Sequence, residues 1–308
     1  MNGPSDVMAE SVSRSEVAPV EISPVRRLFW SVRRELWENR SIYLAPLAVA
    51  AVFLVGFFIS LVRLADRVRA AQALSLMQQR AAIQQPYLIA ALMLMAAELL
   101  VAVVYCLDAF YGERRDRSIL FWKSLPVSDL TTVISKAIIP ILVIPLVAFA
   151  ATVATQWVML LASSAVLAGS GMSPATLWEH VPFFDTTLIN FGHLVVYHGI
   201  WYAPFYGWLL MVSAWANRAP FLWALLPPIA IGFVERIAFN SSHFADVIRY
   251  RFGGDPGSMT PGGRMTMEML GPHSPVEYLT RPGLWIGLAV TAAFLFAAVR
   301  LRRSRGPI

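Results

Sequence analysis

The chain has 308 residues, 57% hydrophobic and 14% charged, with a mean hydropathy of +0.59 and a formal net charge of +6. Soluble domains carry charge on about a quarter of their residues, so this composition excludes an ordinary cytosolic globule and points to a membrane protein. The basic residues sit at the ends of apolar windows, which favours lipid headgroups and topology over nucleic acid, and the single cysteine, Cys106, excludes an intrachain disulfide and a cysteine-based zinc site.

Residues 1–25 are polar and mixed in charge, contain no cleavable signal peptide, and are expected to form a disordered tail. The next stretch, VRRLFWSVRRELWENR, places Leu28, Phe29, Val32 and Leu36 on one helical face and Arg27, Arg34 and Glu38 away from it, while Trp30 and Trp37 do not join the stripe. This predicts an amphipathic helix lying in the inner membrane interface, although an ordinary cytosolic helix carries the same stripe.

Long uncharged windows follow, and a crossing of a hydrocarbon core about 30 Å thick takes about 20 residues. The expected crossings are 42–62, 86–110, 137–167, 188–214, 220–239 and 284–299, within a membrane domain covering 26–303. The uncharged window 137–178 has room for one crossing or for a tight hairpin, and charge decides between them. With six crossings and the N-terminus inside, most of the 25 basic residues fall on inner segments, including the tail RLRRSRG, of which 304–308 forms the end. That bias follows the positive-inside rule, although Arg63, Arg67, Arg69 and Arg80 on the first outer loop run against it. The predicted fold is therefore an all-α membrane protein with six transmembrane helices and both termini cytoplasmic. The segment 240–283 is rich in Gly and Pro and is expected to be an outer loop, with short helical turns near MTMEML.

Several polar residues fall inside these windows. Glu98 lies near the middle of the second crossing, where an ionised carboxylate costs about 2.5–3.5 kcal/mol, so it should face the bundle interior with a partner or stay protonated. The fourth crossing carries His193, Tyr197, His198, Trp201, Tyr202 and Tyr206. The i,i+4 pairs His193–Tyr197 and His198–Tyr202 line a candidate translocation path with Glu98, or mark an aromatic belt at the membrane interface. His193 and His198, five apart, fall on different faces of an α-helix, which argues against a metal site. Glu235 and Arg236 are sequence neighbours and do not face each other; they are expected to pair with other crossings or reach outer headgroups.

Between the second and third crossings lies DAFYGERRDRSILFWKSLPVSDLTTVISK. A charged helical start is followed by an apolar patch too short to cross a membrane, then by Pro126, then by Ser128 or Asp129 as an N-cap for the third crossing, with Lys136 placed to snorkel toward headgroups. The pattern describes a short amphipathic element held at the inner face. Its order of features resembles the loop after the second span in permease subunits of bacterial type-2 ABC exporters, through Glu113, Ser118, Leu125, Pro126, Val127, Ser128 and Lys136. The string HGIWYAPFYGWLLMVSAWANRAPFLWALLPP resembles the fourth and fifth spans of the same group, and together the two stretches cover about a quarter of the chain.

The resemblance implies a permease with no ATPase of its own, working with a separate ATP-binding-cassette ATPase subunit that uses ATP and Mg²⁺, and with a second permease copy in a homodimer or heterodimer. It implies a short coupling helix docking in a cleft of the ATPase, carried here by Glu113, Arg114, Arg115, Asp116, Arg117, Ser118, Leu120, Phe121, Trp122, Leu125 and Pro126. It also implies a multi-pass protein of the bacterial inner membrane, exporting a substrate that the apolar spans suggest is lipid-like or amphipathic. The chain itself contains no G-x-x-x-x-G-K-[ST] phosphate loop, so it is not expected to be an enzyme or to bind a cofactor. Two other classes compete: a proton-coupled secondary transporter using Glu98, and an intramembrane enzyme, for which the motif spacing is absent.

Overall fold

The computed structural model describes residues 23–124, 127–253 and 280–308. The expected N-terminal tail up to residue 22, Leu125 and Pro126, and the MTMEML turns lie outside the described residues. The described elements are all helical. Helix α1 (Pro24–Glu38) starts on a Ser23 cap and is followed by α2 (Ser41–Ser60), which continues through a 3₁₀ turn into α3 (Leu64–Gln72). Helix α4 (Leu76–Asp108) begins ten residues before the expected second crossing, because its polar first turns pair with α3 rather than ending at Pro86. Short helices α5 (Tyr111–Arg115) and α6 (Ile119–Ser124) then turn the chain into α7 (Asp129–Ile138), a π-helical segment (Ile139–Val143) and α8 (Ile144–Gly169). Ser128 is the cap of α7, its Oγ accepting from the Thr131 amide at 3.1 Å. Most of the window that had room for a hairpin lies in one continuous helical stretch, 129–169, followed by a turn and α9.

After α9 (Ala175–His180) the chain passes through α10 (Phe183–Phe191), a second π-helical segment (Gly192–Trp201) and α11 (Ala203–Trp215). Then come α12 (Pro220–Phe239), α13 (His243–Gly253) and α14 (Pro282–Ser304). Five helical stretches among the described residues are long and apolar enough to cross a membrane: 41–72, 76–115, 129–169, 220–239 and 282–304. The expected fourth crossing is missing from that set; a turn at Tyr202 divides it into helical stretches 183–201 and 203–215.

Both π-helical segments have a covalent cause. Pro145 has no N–H, so the Ile141 carbonyl loses its α-helical donor; the chain relaxes to a wider turn in which the Ile144 amide bonds Ile139 five residues back. Pro204 does the same to Ile200, and the Tyr202 amide reaches the Tyr197 carbonyl at 3.2 Å. The two wide turns meet face to face. A Cβ at Gly199 would run into the freed Ile141 carbonyl oxygen, so only glycine allows this approach.

Two large apolar cores hold the bundle, with a small cluster of Met95, Ala148 and Leu194 besides. One joins Ile42, Tyr105, Phe110, Val133, Ile139, Trp201 and Tyr206 at the end where α4 finishes and α7 begins. The other joins Phe57, Tyr87, Met159, Leu160 and Phe183 at the opposite end. Helix α11 packs along α14, and α2, α4 and α8 pack mutually. Helix α12 has no buried side chain.

Candidate functional site

At the first end of the bundle, charged residues from four helices converge in the interior. Lys136 Nζ of α7 lies 3.0 Å from Glu35 of α1 and 3.2 Å from Glu113 of α5. Arg302 of α14 pairs with Glu113 at 2.6 Å and with Asp129 at 3.0 Å, while Arg34 pairs with Glu35 at 2.7 Å. The Tyr105 hydroxyl of α4 donates to Glu35 at 3.0 Å. Three carboxylates and three cations thus balance in a knot whose centre, Glu35, Glu113, Lys136 and Arg302, is buried, with Arg34 and Asp129 at its half-buried edge. Lys136 does not snorkel to headgroups; it is buried, because two carboxylates await it inside.

The knot also explains the pose of α1. Glu35 is the buried residue of that helix, with Val32 and Leu36 packed beside it on the core. Phe29 leaves the predicted stripe and turns outward with Trp30 and Trp37, whose rings flank Arg33 at 5.0 and 4.9 Å. An ion-pair partner outweighs one apolar contact in setting this rotation.

Burial alone would raise the Glu35 carboxyl, but Lys136 and Arg34 outweigh it and hold the group below its ordinary value of 4.5. The folded chain therefore takes up this proton less readily than the unfolded chain. The stabilisation is complete above 4.5 and is lost as pH falls below it. Arg34 and Glu38 face Glu35 from its own helix, Tyr105 from α4, Glu113 from α5 and Lys136 from α7. Glu38 is shifted upward by burial, so comparison with Glu35→Gln isolates the Glu35 share. The stability gap between wild type and Glu35→Gln, followed by thermal unfolding, is expected to be widest near neutrality and to close below about pH 4.5; a gap constant with pH would contradict this.

In front of the knot sits the α5–α6 loop. Glu113 and Arg114 face inward: Arg114 donates to the Ala214 carbonyl at 2.5 Å and to Asn217 Oδ1 at 2.7 Å, tying α5 to the end of α11. Ser213 Oγ accepts from the Phe110 and Tyr111 amides at 3.0 Å each. Arg117 takes a left-handed φ of 59° and makes the corner between α5 and α6. Ile119, the first residue of α6, is buried, and the Trp122 ring carries the Arg34 guanidinium at 3.9 Å. Outward stand Arg115, Asp116, Arg117 and Lys123, with Leu120 60% and Phe121 59% exposed and Ser118 half-buried. A polar crevice of about 260 Å³ opens beside them, lined by Glu38, Asp108, Glu113, Asp116, Trp122 and Lys136.

The other candidate residues lie deeper in the bundle. Glu98 is fully buried, its Oε2 2.9 Å from His198 Nδ1, and its Oε1 has no hydrogen-bond partner among the described residues. The His198 ring stacks on Tyr202 at 5.3 Å, and Tyr197 lies 5.0 Å from Tyr202. Glu98, His198, Tyr202 and Tyr197 are thus brought together. His193 stands at the edge of this group, 6.0 Å from Tyr197, with Nδ1 3.3 Å from the Ile189 carbonyl oxygen. Faces assigned at an α-helical period do not hold here, because the wider turn brings positions five apart closer to one face.

Comparisons with protein-family models, curated proteins and solved structures find no match.

Among the described residues no group of three or more His, Cys, Asp or Glu could hold a metal ion. Glu235, expected to pair with another crossing or with headgroups, instead caps α13, accepting from the His243 amide at 2.7 Å and the Phe244 amide at 2.9 Å. Sequence reasoning missed Glu35 and Arg302. The available signal was a charge at helical spacing among apolar neighbours on α1, and a basic residue two positions before the end of the last helix.

Proposed function

We propose that this chain is the permease subunit of an ATP-binding-cassette exporter, docking a separate ATPase through α5 and α6. The observation that carries the reading is the exposed Leu120–Phe121 pair, ringed by Arg115, Asp116, Arg117 and Lys123 and braced from behind by the ionic knot. Apolar anchors supply affinity and surrounding charges supply register, which is what a docking element needs. The brace supports transmission. A push on α6 reaches α1 through Trp122 and Arg34, α7 through Lys136 and α14 through Arg302, so one contact moves several helices together. The resemblance of YGERRDRSILFWKSLPVSDL to the coupling loop of type-2 exporters points the same way.

In this reading the broken segment 183–215 is the sixth crossing and both chain ends lie in the cytoplasm of a bacterium, with the protein in the inner membrane. α1 lies along the interface with Phe29, Trp30 and Trp37 toward lipid. α12, which touches α4, α11 and α13 but buries no side chain, leaves most of its surface to lipid or to a second permease copy in a homodimer. ATP and Mg²⁺ belong to the ATPase, and the cargo is lipid-like or amphipathic. The chain purified alone is expected to hydrolyse no ATP, and the complex purified from native membranes to hydrolyse it; an active chain, or a complex with no ATPase, overturns the proposal.

A second reading, a proton-coupled secondary transporter, is favoured by the buried Glu98–His198 pair and its orphan oxygen. It predicts transport driven by a proton gradient without ATP and abolished in Glu98→Gln.

A further inference from the structure

Helix α13 folds back on the bundle and ends against the second π-helical segment. Its last turn is held by its own carbonyls: Tyr197 and Trp201 donate to the Arg251 carbonyl at 3.3 and 2.9 Å, and Tyr202 donates to the Phe252 carbonyl at 3.5 Å. The Arg251 side chain turns inward. Its guanidinium lies 4.3 Å from the Trp201 ring centre and donates to the carbonyls of Trp201 at 3.2 Å and Gly283 at 3.0 Å. Tyr197 stacks nearly parallel to Trp201, at 13° and 6.3 Å, and Tyr250 meets it edge-on at 5.5 Å. Gly287 of α14 keeps the slot open, since a Cβ there would collide with the guanidinium.

Among the described residues no carboxylate pairs with Arg251. A half-buried guanidinium without a counter-ion is costly, and the Trp201 face and two backbone carbonyls are what offset that cost here. These groups recognise positive charge on a compact organic group and have no preference for the arginine of α13. Behind them the Tyr202 ring stacks on His198, which leads to the buried Glu98 carboxylate with its unpartnered Oε1.

We propose that the slot formed by the Trp201 face and the carbonyls of Trp201 and Gly283 is a binding site for an organic cation, an alkylammonium or guanidinium group, and that Arg251 is a tethered occupant holding the site closed. A ligand enters when the last turn of α13 leaves. The tethered side chain competes at high local concentration, so the apparent affinity is reduced by the fraction of time the slot is filled. The site goes beyond the docking assignment and needs no motor.

The test uses the full chain in phosphatidylglycerol nanodiscs, without any ATPase, so its outcome is independent of the exporter reading. Equilibrium binding of labelled choline is compared with competition by its neutral carbon isostere, 3,3-dimethylbutan-1-ol. Arg251→Ala is expected to bind choline about tenfold more tightly than wild type, because the competitor is gone. Arg251→Gln, which keeps hydrogen-bond donors to the two carbonyls and guards against misfolding of the alanine variant, is expected to show the same gain. Arg251→Lys, which keeps the charge, is expected to show none, and the isostere to compete about tenfold less well than choline. A purely structural Arg251 would give no cation-selective gain. If phosphatidylcholine added to the discs displaces choline from Arg251→Ala, the cation comes from a lipid headgroup; if it does not, the cation is a soluble amine. Either result supports the site. No gain in either uncharged variant, or equal competition by the isostere, overturns it.

Discussion

Replacing Lys136 by Met is expected to lower the unfolding free energy by about 3–5 kcal/mol, the range seen when one partner of a buried ion pair is removed. Lys136 is buried and lies within 3.2 Å of two carboxylates, so its loss leaves Glu35 and Glu113 with reduced compensation in the core. Arg302 still holds Glu113 and Arg34 still holds Glu35, which keeps the effect from exceeding that range. The double variant Lys136→Met with Glu35→Leu is expected to recover part of the loss, because it removes a cation and an anion together. Chemical unfolding in detergent measures both. A change under about 1 kcal/mol in the single variant would mean that water reaches the knot and screens it.

Phe121→Asp is expected to leave the fold intact and to remove the docking partner. The side chain is 59% exposed and holds no core position, so the variant should unfold as wild type does. An apolar anchor at the centre of a docking patch contributes about 2–4 kcal/mol, or roughly thirty- to a thousandfold in Kd. Arg115→Glu, at the rim of the same patch, is expected to act mainly through the association rate and to depend on salt. Binding of the purified ATPase to nanodisc-held chain reads both effects. Tight binding by Phe121→Asp would move the docking surface elsewhere.

The helical membrane character of the fold was legible because uncharged windows are a local property of the chain. Helix bounds were less so: α4 starts at Leu76 because α3 gives its polar turns a partner, and no local pattern reveals a partner. The fourth stretch broke where Pro204 removes a donor, a signal visible in the sequence, but the choice between kink, break and wide turn is made by Gly199 against Ile141. At the candidate site, Glu98 was noticeable as a lone carboxylate among apolar residues, while its partner His198 depends on a turn that does not follow the α-helical period. The knot was the least legible part. Glu35, Glu113, Lys136 and Arg302 lie far apart in sequence, and each alone resembles an ordinary charge at a helix end. Burial of Glu113 and Arg114 likewise depends on α11 and α14, so the loop residues divide into an outward set and an inward brace that the sequence lists side by side.

The most direct measurement places a photo-crosslinking amino acid at position 121 of the full chain in its native membrane and identifies what it captures. The account predicts a covalent product with a nucleotide-hydrolysing subunit bearing a phosphate loop, formed from the cytoplasmic side and lost when Leu120 is also changed to Asp. Capture of lipid alone, or reaction of that position with an impermeant reagent applied outside intact cells, would contradict it.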